Sequence, residues 1–210
     1  MKILVTGTTG GIGRAVKRAA LAAGHEVVEM NRGGWEAVDS PLTSGKDSPR
    51  IAPATQLASL GGYASPLRGL DAVVFSTGTC PVKPFALTSD TLFEETFRVN
   101  CGLFVKLMRH IVAERLYRPT GMKVVAISSV SATEGWAGGA AYCASKGALS
   151  AVCRALDAEL QPKKISVVAL EPRYVKTKMF DACAGRMGVD PALAQSPDAL
   201  AAEILTCLKA

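Results

Sequence analysis

The hydrophobic pattern is a series of short apolar runs, each closed by glycine or a polar turn, with longer stretches of helical periodicity between them. Runs at Lys2 to Thr6, Glu26 to Met30, Asp71 to Ser76, Lys123 to Ser128 and Ile165 to Leu170 read as buried parallel strands. The intervening patterns predict helices over Ile12 to Ala23, roughly Leu92 to Leu116, and Tyr142 to Leu160, the last stopped by Pro162. A final helix is marked by Ser196 as N-cap, Pro197 in its first turn and Asp198 after it. Strand alternating with helix implies an α/β fold with a doubly wound parallel sheet. One more short segment, Trp35 to Asp39, follows Asn31-Arg32-Gly33-Gly34 directly and predicts a strand, bringing the expected sheet to about six, before a Ser/Pro/Gly-rich loop over Ser40 to Arg50.

Composition narrows the picture. A chain of 210 residues, 49% of them hydrophobic, is long enough for one substantial core, so residues 1–210 are expected to form a single domain. The chain opens on a strand, without a charged-then-apolar leader, and no apolar run reaches about 18 residues, so neither a secretory signal nor a membrane span is indicated and a cytoplasmic location is expected. Six cysteines are scattered without a CxxC pair, which fits reduced thiols, and only two histidines occur, so no metal site is expected. The net charge of +6 comes from dispersed Lys and Arg without interleaved aromatics, a solvated basic surface rather than a nucleic-acid footprint.

Two segments carry chemistry. The first apolar strand runs straight into Gly7-Thr8-Thr9-Gly10-Gly11-Ile12-Gly13 and then a helix. Glycines there permit a tight turn and close backbone approach, and the helix N-terminus attracts a pyrophosphate. The spacing is not GxGxxG: it satisfies TGxxxGxG through Thr6, Gly7, Gly11 and Gly13, and also TGxxGxxG through Gly7, Gly10 and Gly13. The second segment is Tyr142-Cys143-Ala144-Ser145-Lys146, with Ser129 thirteen residues upstream of Tyr142. Residues four apart share a helix face, so Lys146 stands one turn from Tyr142. A nearby cation favours the phenolate, which brings a weak acid with a pKa of about 10 toward a useful range.

Together, the glycine turn, Ser129, Tyr142 and Lys146 resemble the short-chain dehydrogenase/reductase family over nearly the whole chain, in its shorter, single-domain branch with a Rossmann-like fold. The resemblance implies an oxidoreductase in which a nicotinamide exchanges a hydride with a small carbonyl or alcohol substrate. Tyr142 is then the proton donor and acceptor, Ser129 the oxyanion stabiliser, and Lys146 both a charge beside the phenol and a holder of the nicotinamide ribose. Asn100 matches the position that holds a water linking the lysine to solvent. Ser129 is chosen over Ser128 because thirteen residues separate it from Tyr142 in the family pattern.

The resemblance also assigns the cofactor site. Gly7, Thr9, Gly10, Gly11, Ile12, Gly13 and Arg14 form the phosphate turn, and Asp39 matches the adenine contact. Ser76, Thr77 and Gly78 stand where the family usually carries Asn-Asn-Ala-Gly. Pro172, Val175 and Thr177 fall in a PGxxxT-like segment whose glycine is replaced by Arg173. No acid follows strand two; Asn31 and Arg32 occupy the turn, so Arg14 and Arg32 are placed to bracket a 2′-phosphate and NADP is favoured over NAD. Expected pocket walls are Cys80, Pro81, Val82, Glu134, Trp136, Met179 and Phe180, under a short lid at about 178–195. Arg173, Lys176 and Lys178 flank its mouth and could attract anions. A homodimer pairing the two long helices follows from the resemblance. The competing reading is a catalytically silent NAD(P)-sensing protein, kept open by Ser76-Thr77-Gly78 and Arg173; an epimerase would need more chain.

Overall fold

In the computed structural model, which describes residues 1–31 and 66–209, five parallel strands run through the middle of the molecule. They are β1 (Lys2–Thr6), β2 (Glu26–Met30), β3 (Ala72–Phe75), β4 (Met122–Ile127) and β5 (Ile165–Leu170), in the order β2-β1-β3-β4-β5. Register aligns Leu4 with Val28 and Val73, Val73 with Val124, and Val124 with Val167. The predicted strand at Trp35 to Asp39 and the loop at Ser40 to Arg50 lie outside the described residues.

Why these runs are apolar throughout is visible in how each strand divides its side chains. Leu4, Val73, Phe75, Val124 and Ala126 join one core, while Ile3, Val5, Ala72, Val74, Val125 and Ile127 join another. Successive strand residues face opposite ways, so a strand covered on both faces must be apolar at every position. The second core is closed by α1 (Gly11–Ala22) and a C-terminal helix, and by an ion pair between Arg18 and Asp198. The first core is closed by helices between β3 and β4 and between β4 and β5, with Phe75 edge-on to Phe104 at 5.3 Å.

The predicted helix from Leu92 to Leu116 is a continuous helical run from Asp90 to Ala113 that carries a π-helical turn inside it. Ser89 caps α2 (Asp90–Phe97), a π-helical turn spans Arg98–Gly102, and α3 (Leu103–Ala113) follows. The remaining helices are α4 (Ala140–Leu160), α5 (Lys178–Met187) and α6 (Pro197–Cys207), the last capped by Ser196 as expected. Among the described residues no helix is long and apolar enough to cross a membrane, and no group of three or more His, Cys, Asp or Glu is placed to hold a metal.

The sheet order reverses at β1: the chain goes to β2 on one side and returns to β3 on the other. A crevice outside the carboxyl ends of β1 and β3 is the geometric consequence, and ligands of open α/β sheets bind there.

Candidate active site

The cradle begins where β1 ends. Gly7 takes φ 69°, left-handed backbone that glycine tolerates, and an added Cβ would stand 3.0 Å from the Ser76 carbonyl oxygen. A Cβ at Gly13 would stand 2.6 Å from Ser76 Oγ and nearer still to the Gly7 carbonyl, so the first turn of α1 presses on the ends of β1 and β3. Gly10 caps α1 without any side-chain hydrogen bond. A cleft of about 850 Å³ opens onto this terminus, lined by Gly7, by Thr9 through Arg14, by Asn31 and by Ser76, Thr77 and Gly78. Bare backbone, no Cβ and the positive end of a helix suit the phosphates of a dinucleotide. Arg14 lays its Nη2 on the Thr9 carbonyl at 3.0 Å. Arg32 and Asp39 lie outside the described residues.

Ser76 and Thr77 take over the job of tying strands together. The Ser76 amide donates to Thr6 Oγ1 at 3.1 Å, the Ser76 hydroxyl donates to the Thr6 carbonyl at 2.5 Å, and Thr77 Oγ1 donates to Thr6 Oγ1 at 2.9 Å. Hydroxyls thus clamp β3 to β1 where longer amide side chains were expected. Gly78 leaves room for its neighbours, since a Cβ there would lie 3.2 Å from Asn100 Oδ1 and 3.6 Å from Lys146 Nζ.

A second, smaller pocket of about 130 Å³ adjoins the cleft and shares Ile12, Ser76 to Thr79, Thr177 and Met179 with it. Ser129, at the end of β4, and Tyr142 and Lys146, in the first two turns of α4, all line this pocket. Ser128 does not compete with Ser129: its hydroxyl donates to the Lys146 carbonyl at 3.1 Å and lies 2.7 Å from Ser150 Oγ, fixing α4 to β4. Lys146 Nζ sits 5.8 Å from the centre of the Tyr142 ring and donates to the Ile127 carbonyl at 2.7 Å.

The electrostatics correct the expectation that the lysine lowers the phenol. Burial pushes Tyr142 above its ordinary range, the Cys80 thiol adds to this, and a hydrogen bond with Ser129 opposes it. Burial also pulls Lys146 down to about 8. Both groups disfavour charge in this setting, and depth outweighs their proximity.

The π-helical turn delivers Asn100, which is completely buried. Its Oδ1 accepts from the Thr79 amide at 2.7 Å, and its Nδ2 donates to the Thr79 carbonyl at 2.9 Å and to Ser145 Oγ at 2.8 Å. The side chain therefore holds the loop after β3 against α4, next to Lys146. Such turns concentrate at functional sites because they re-aim one residue of a helix.

The sequence model of the short chain dehydrogenase family matches residues 1–186. The chain belongs to that family. It is 28% identical to L-xylulose reductase of Homo sapiens over 187 residues, which are 86% of this chain and 74% of that protein. It is likewise 28% identical to carbonyl reductase (NADPH) 2 of Sus scrofa over 185 residues, 85% of this chain and 73% of that one. Among solved structures, a Beutenbergia cavernae protein assigned as an NAD(P)-dependent gluconate 5-dehydrogenase, with NADP bound at low occupancy, matches with a TM-score of 0.76 at 25% identity, over 98% of this chain and 88% of that one.

In this family member, the segment after β5 is where structure and expectation diverge most. Pro172, Val175 and Thr177 do line the pocket, with the Pro172 carbonyl accepting from the Val130 amide at 3.2 Å. Arg173, in the place of the family's glycine, also lines the pocket and grips Glu134 at 2.7 and 3.2 Å. Thr177 caps α5, accepting from the Phe180 amide at 3.2 Å, while its methyl faces Gly11. The first part of the span expected as a lid, Lys178–Met187, is helix.

Of the expected wall, Cys80, Trp136, Met179 and Phe180 line the pocket. Pro81, Val82 and Glu134 do not; Glu134 is drawn away to Arg173, and the Val82 carbonyl accepts from Arg186 at 3.2 Å. Ser131, Tyr174, Cys183 and Met187 were missed. Thr177 as an N-cap, followed by apolar residues at Met179, Phe180, Cys183 and Met187, was the legible signal for one face of a helix. Glu29 was missed as well: Lys17 at 2.6 Å and the Thr8 hydroxyl at 2.5 Å hold it, and they keep its carboxyl below the usual range.

Proposed function

We propose that this chain is an oxidoreductase using NADP(H) to move a hydride between nicotinamide and a small carbonyl or alcohol substrate, with Tyr142 as proton donor and acceptor. The observation that carries this is continuity. The glycine cleft runs into the pocket of Tyr142, Ser129 and Lys146 through shared walls, so a dinucleotide in the one reaches the acid in the other.

The bound nicotinamide supplies the hydride. Tyr142, kept protonated by its burial, gives its proton to a carbonyl oxygen as negative charge develops there, and takes it back in the reverse direction. Ser129 lines the same pocket as Tyr142 and would stabilise the same oxygen. Lys146 would hold the ribose hydroxyls, and Asn100, by fixing the Thr79 loop beside it, would support a water link from that lysine to solvent. Pro172, Val175 and Thr177 would hold the nicotinamide end, and residues 178–195 would act as the lid. A sensor that never turns over has no need of Ser129, Tyr142 and Lys146 in one pocket.

The preference for NADP rests on charge at the other end of the cleft. Arg14 is exposed there beside Asn31, and Glu29, the nearest acid on β2, is neutralised by Lys17 rather than offered to a ribose. The pig relative is named for NADPH and the Beutenbergia structure holds NADP, which agrees. A homodimer pairing α2 and α3 with α4, working in the cytoplasm, completes the reading.

The test is Tyr142→Phe. NADPH should bind with unchanged affinity while carbonyl reduction falls by roughly 10²–10⁴-fold. Cofactor binding with no turnover by the parent, on any of a panel of ketones and aldehydes, would favour the sensor.

A further inference from the structure

We propose that the reaction pocket selects a compact, uncharged, apolar ketone or aldehyde and rejects polyhydroxylated or carboxylated ones. This rests on the oxidoreductase reading and narrows it.

Beyond Ser129 and the Tyr142 hydroxyl, the space is walled mainly by Cys80, Trp136, Met179, Phe180, Cys183 and Met187. Arg173, Tyr174 and Thr177 also line it, and several of the polar atoms within the wall are already used by the protein. Ser131 Oγ accepts from Trp136 Nε1 at 3.1 Å, both backbone groups of Thr79 are taken by Asn100, and the Cys183 thiol donates to the Cys80 carbonyl at 3.4 Å. Burial pushes the Cys80 thiol up, so it stays protonated and serves as a small apolar surface. A substrate hydroxyl set against Cys80, Met179, Phe180 or Met187 would leave water and find no partner there, which lowers binding roughly tenfold for each such group.

Charge at the mouth leads to the same conclusion. Arg173 is matched by Glu134, and Lys176 by Asp181 at 3.2 Å. Two of the three cations at the mouth are therefore paired, and Glu134 offsets the pull of Arg173 on a carboxylated substrate. At about 130 Å³, shared with the nicotinamide side, the pocket also has little room.

The experiment compares kcat/KM for cyclohexanone and benzaldehyde with that for L-xylulose and a keto-sugar acid, each with saturating NADPH and again with NADH. The apolar pair should lead by about 100-fold or more, as expected for several unpaired hydroxyls. In parallel, calorimetry measures cyclohexanol and xylitol binding to the NADP-loaded protein, and cyclohexanol should bind at least tenfold tighter. Met179→Gln, on the pocket wall, should narrow both ratios. Equal or better use of the sugar, or equal binding of xylitol, overturns the proposal while leaving the oxidoreductase reading intact. No turnover of any substrate, with cyclohexanol still binding more tightly, would instead remove the oxidoreductase reading and keep the pocket's selectivity.

Discussion

Replacing Lys146 should stabilise the protein in a pH-dependent way, although it should abolish catalysis. Lys146 is 5% exposed, and its burial beside the protonated thiols of Cys80, Cys101 and Cys153 disfavours the ammonium. Folding therefore lowers its pKa from 10.5 to about 8. Below about pH 8 the lysine is protonated in both states, and the folded state bears the whole cost of roughly 3 kcal/mol. Between about pH 8 and 10.5 the unfolded chain binds more protons than the folded one, so stability rises with pH. Tyr142 has the opposite sign: its raised phenol keeps a proton above about pH 10 that the unfolded chain has lost, so stability falls there. Urea unfolding of variant and parent between about pH 7 and 9.5 stays below the tyrosine, and the difference between them cancels the raised Cys80, Cys101, Cys143 and Cys153 thiols, which lower stability in both as pH rises toward 9.5. Lys146→Met removes the charge; it also strips the Ile127 carbonyl of a donor, a cost of about 1–3 kcal/mol that does not depend on pH. The stability difference, variant minus parent, should therefore shrink by about 2 kcal/mol from pH 7 to 9.5, equivalent to about 4–8 °C in Tm. A difference that stays flat across that range would refute the reasoning, whatever its absolute size.

Gly13→Ala forces a Cβ against Ser76 and the Gly7 carbonyl, so Tm should fall by about 5 °C and NADPH affinity by about tenfold; differential scanning fluorimetry and a fluorescence titration check both. Gly185→Ala, with nothing within 4 Å and a helical position, should instead raise Tm by about 2–4 °C, and a loss would contradict the open surface described for α5. Arg14→Ala should weaken NADPH about tenfold and leave NADH within about twofold, since a charge-assisted bond to a 2′-phosphate is lost only with the former; equal losses would argue against NADP selectivity. Asn100→Ala removes three hydrogen bonds around Thr79 and Ser145 and should cost about 2–4 kcal/mol in chemical denaturation, together with kcat; parental stability would mean that the Thr79 loop is held by other contacts.

What was legible in the chain, and what was not, divides by how far apart the cooperating residues are. The strands could be read because residues such as Ile3, Leu4 and Val5 must each satisfy one of two buried faces, and the cradle because Gly7 and Gly13 answer to backbone only a few residues away. The π-helical turn inside the long helix could not, because nothing between Leu92 and Leu116 announces it. Asn100 does so only through Thr79 and Ser145, 21 and 45 residues away. Nor does the sequence around Arg173 announce its partner, because Glu134, which grips it, lies 39 residues upstream. Spacing also placed Lys146 one turn from Tyr142, but not at what depth, and depth decides the balance: in water a neighbouring cation would lower the phenol, whereas here burial raises it and lowers the amine. A helical spacing of four thus identifies the acid and its partner, while the strain between them is set by Cys80, Ser129 and the Ile127 carbonyl, which only the folded sheet brings to the same place.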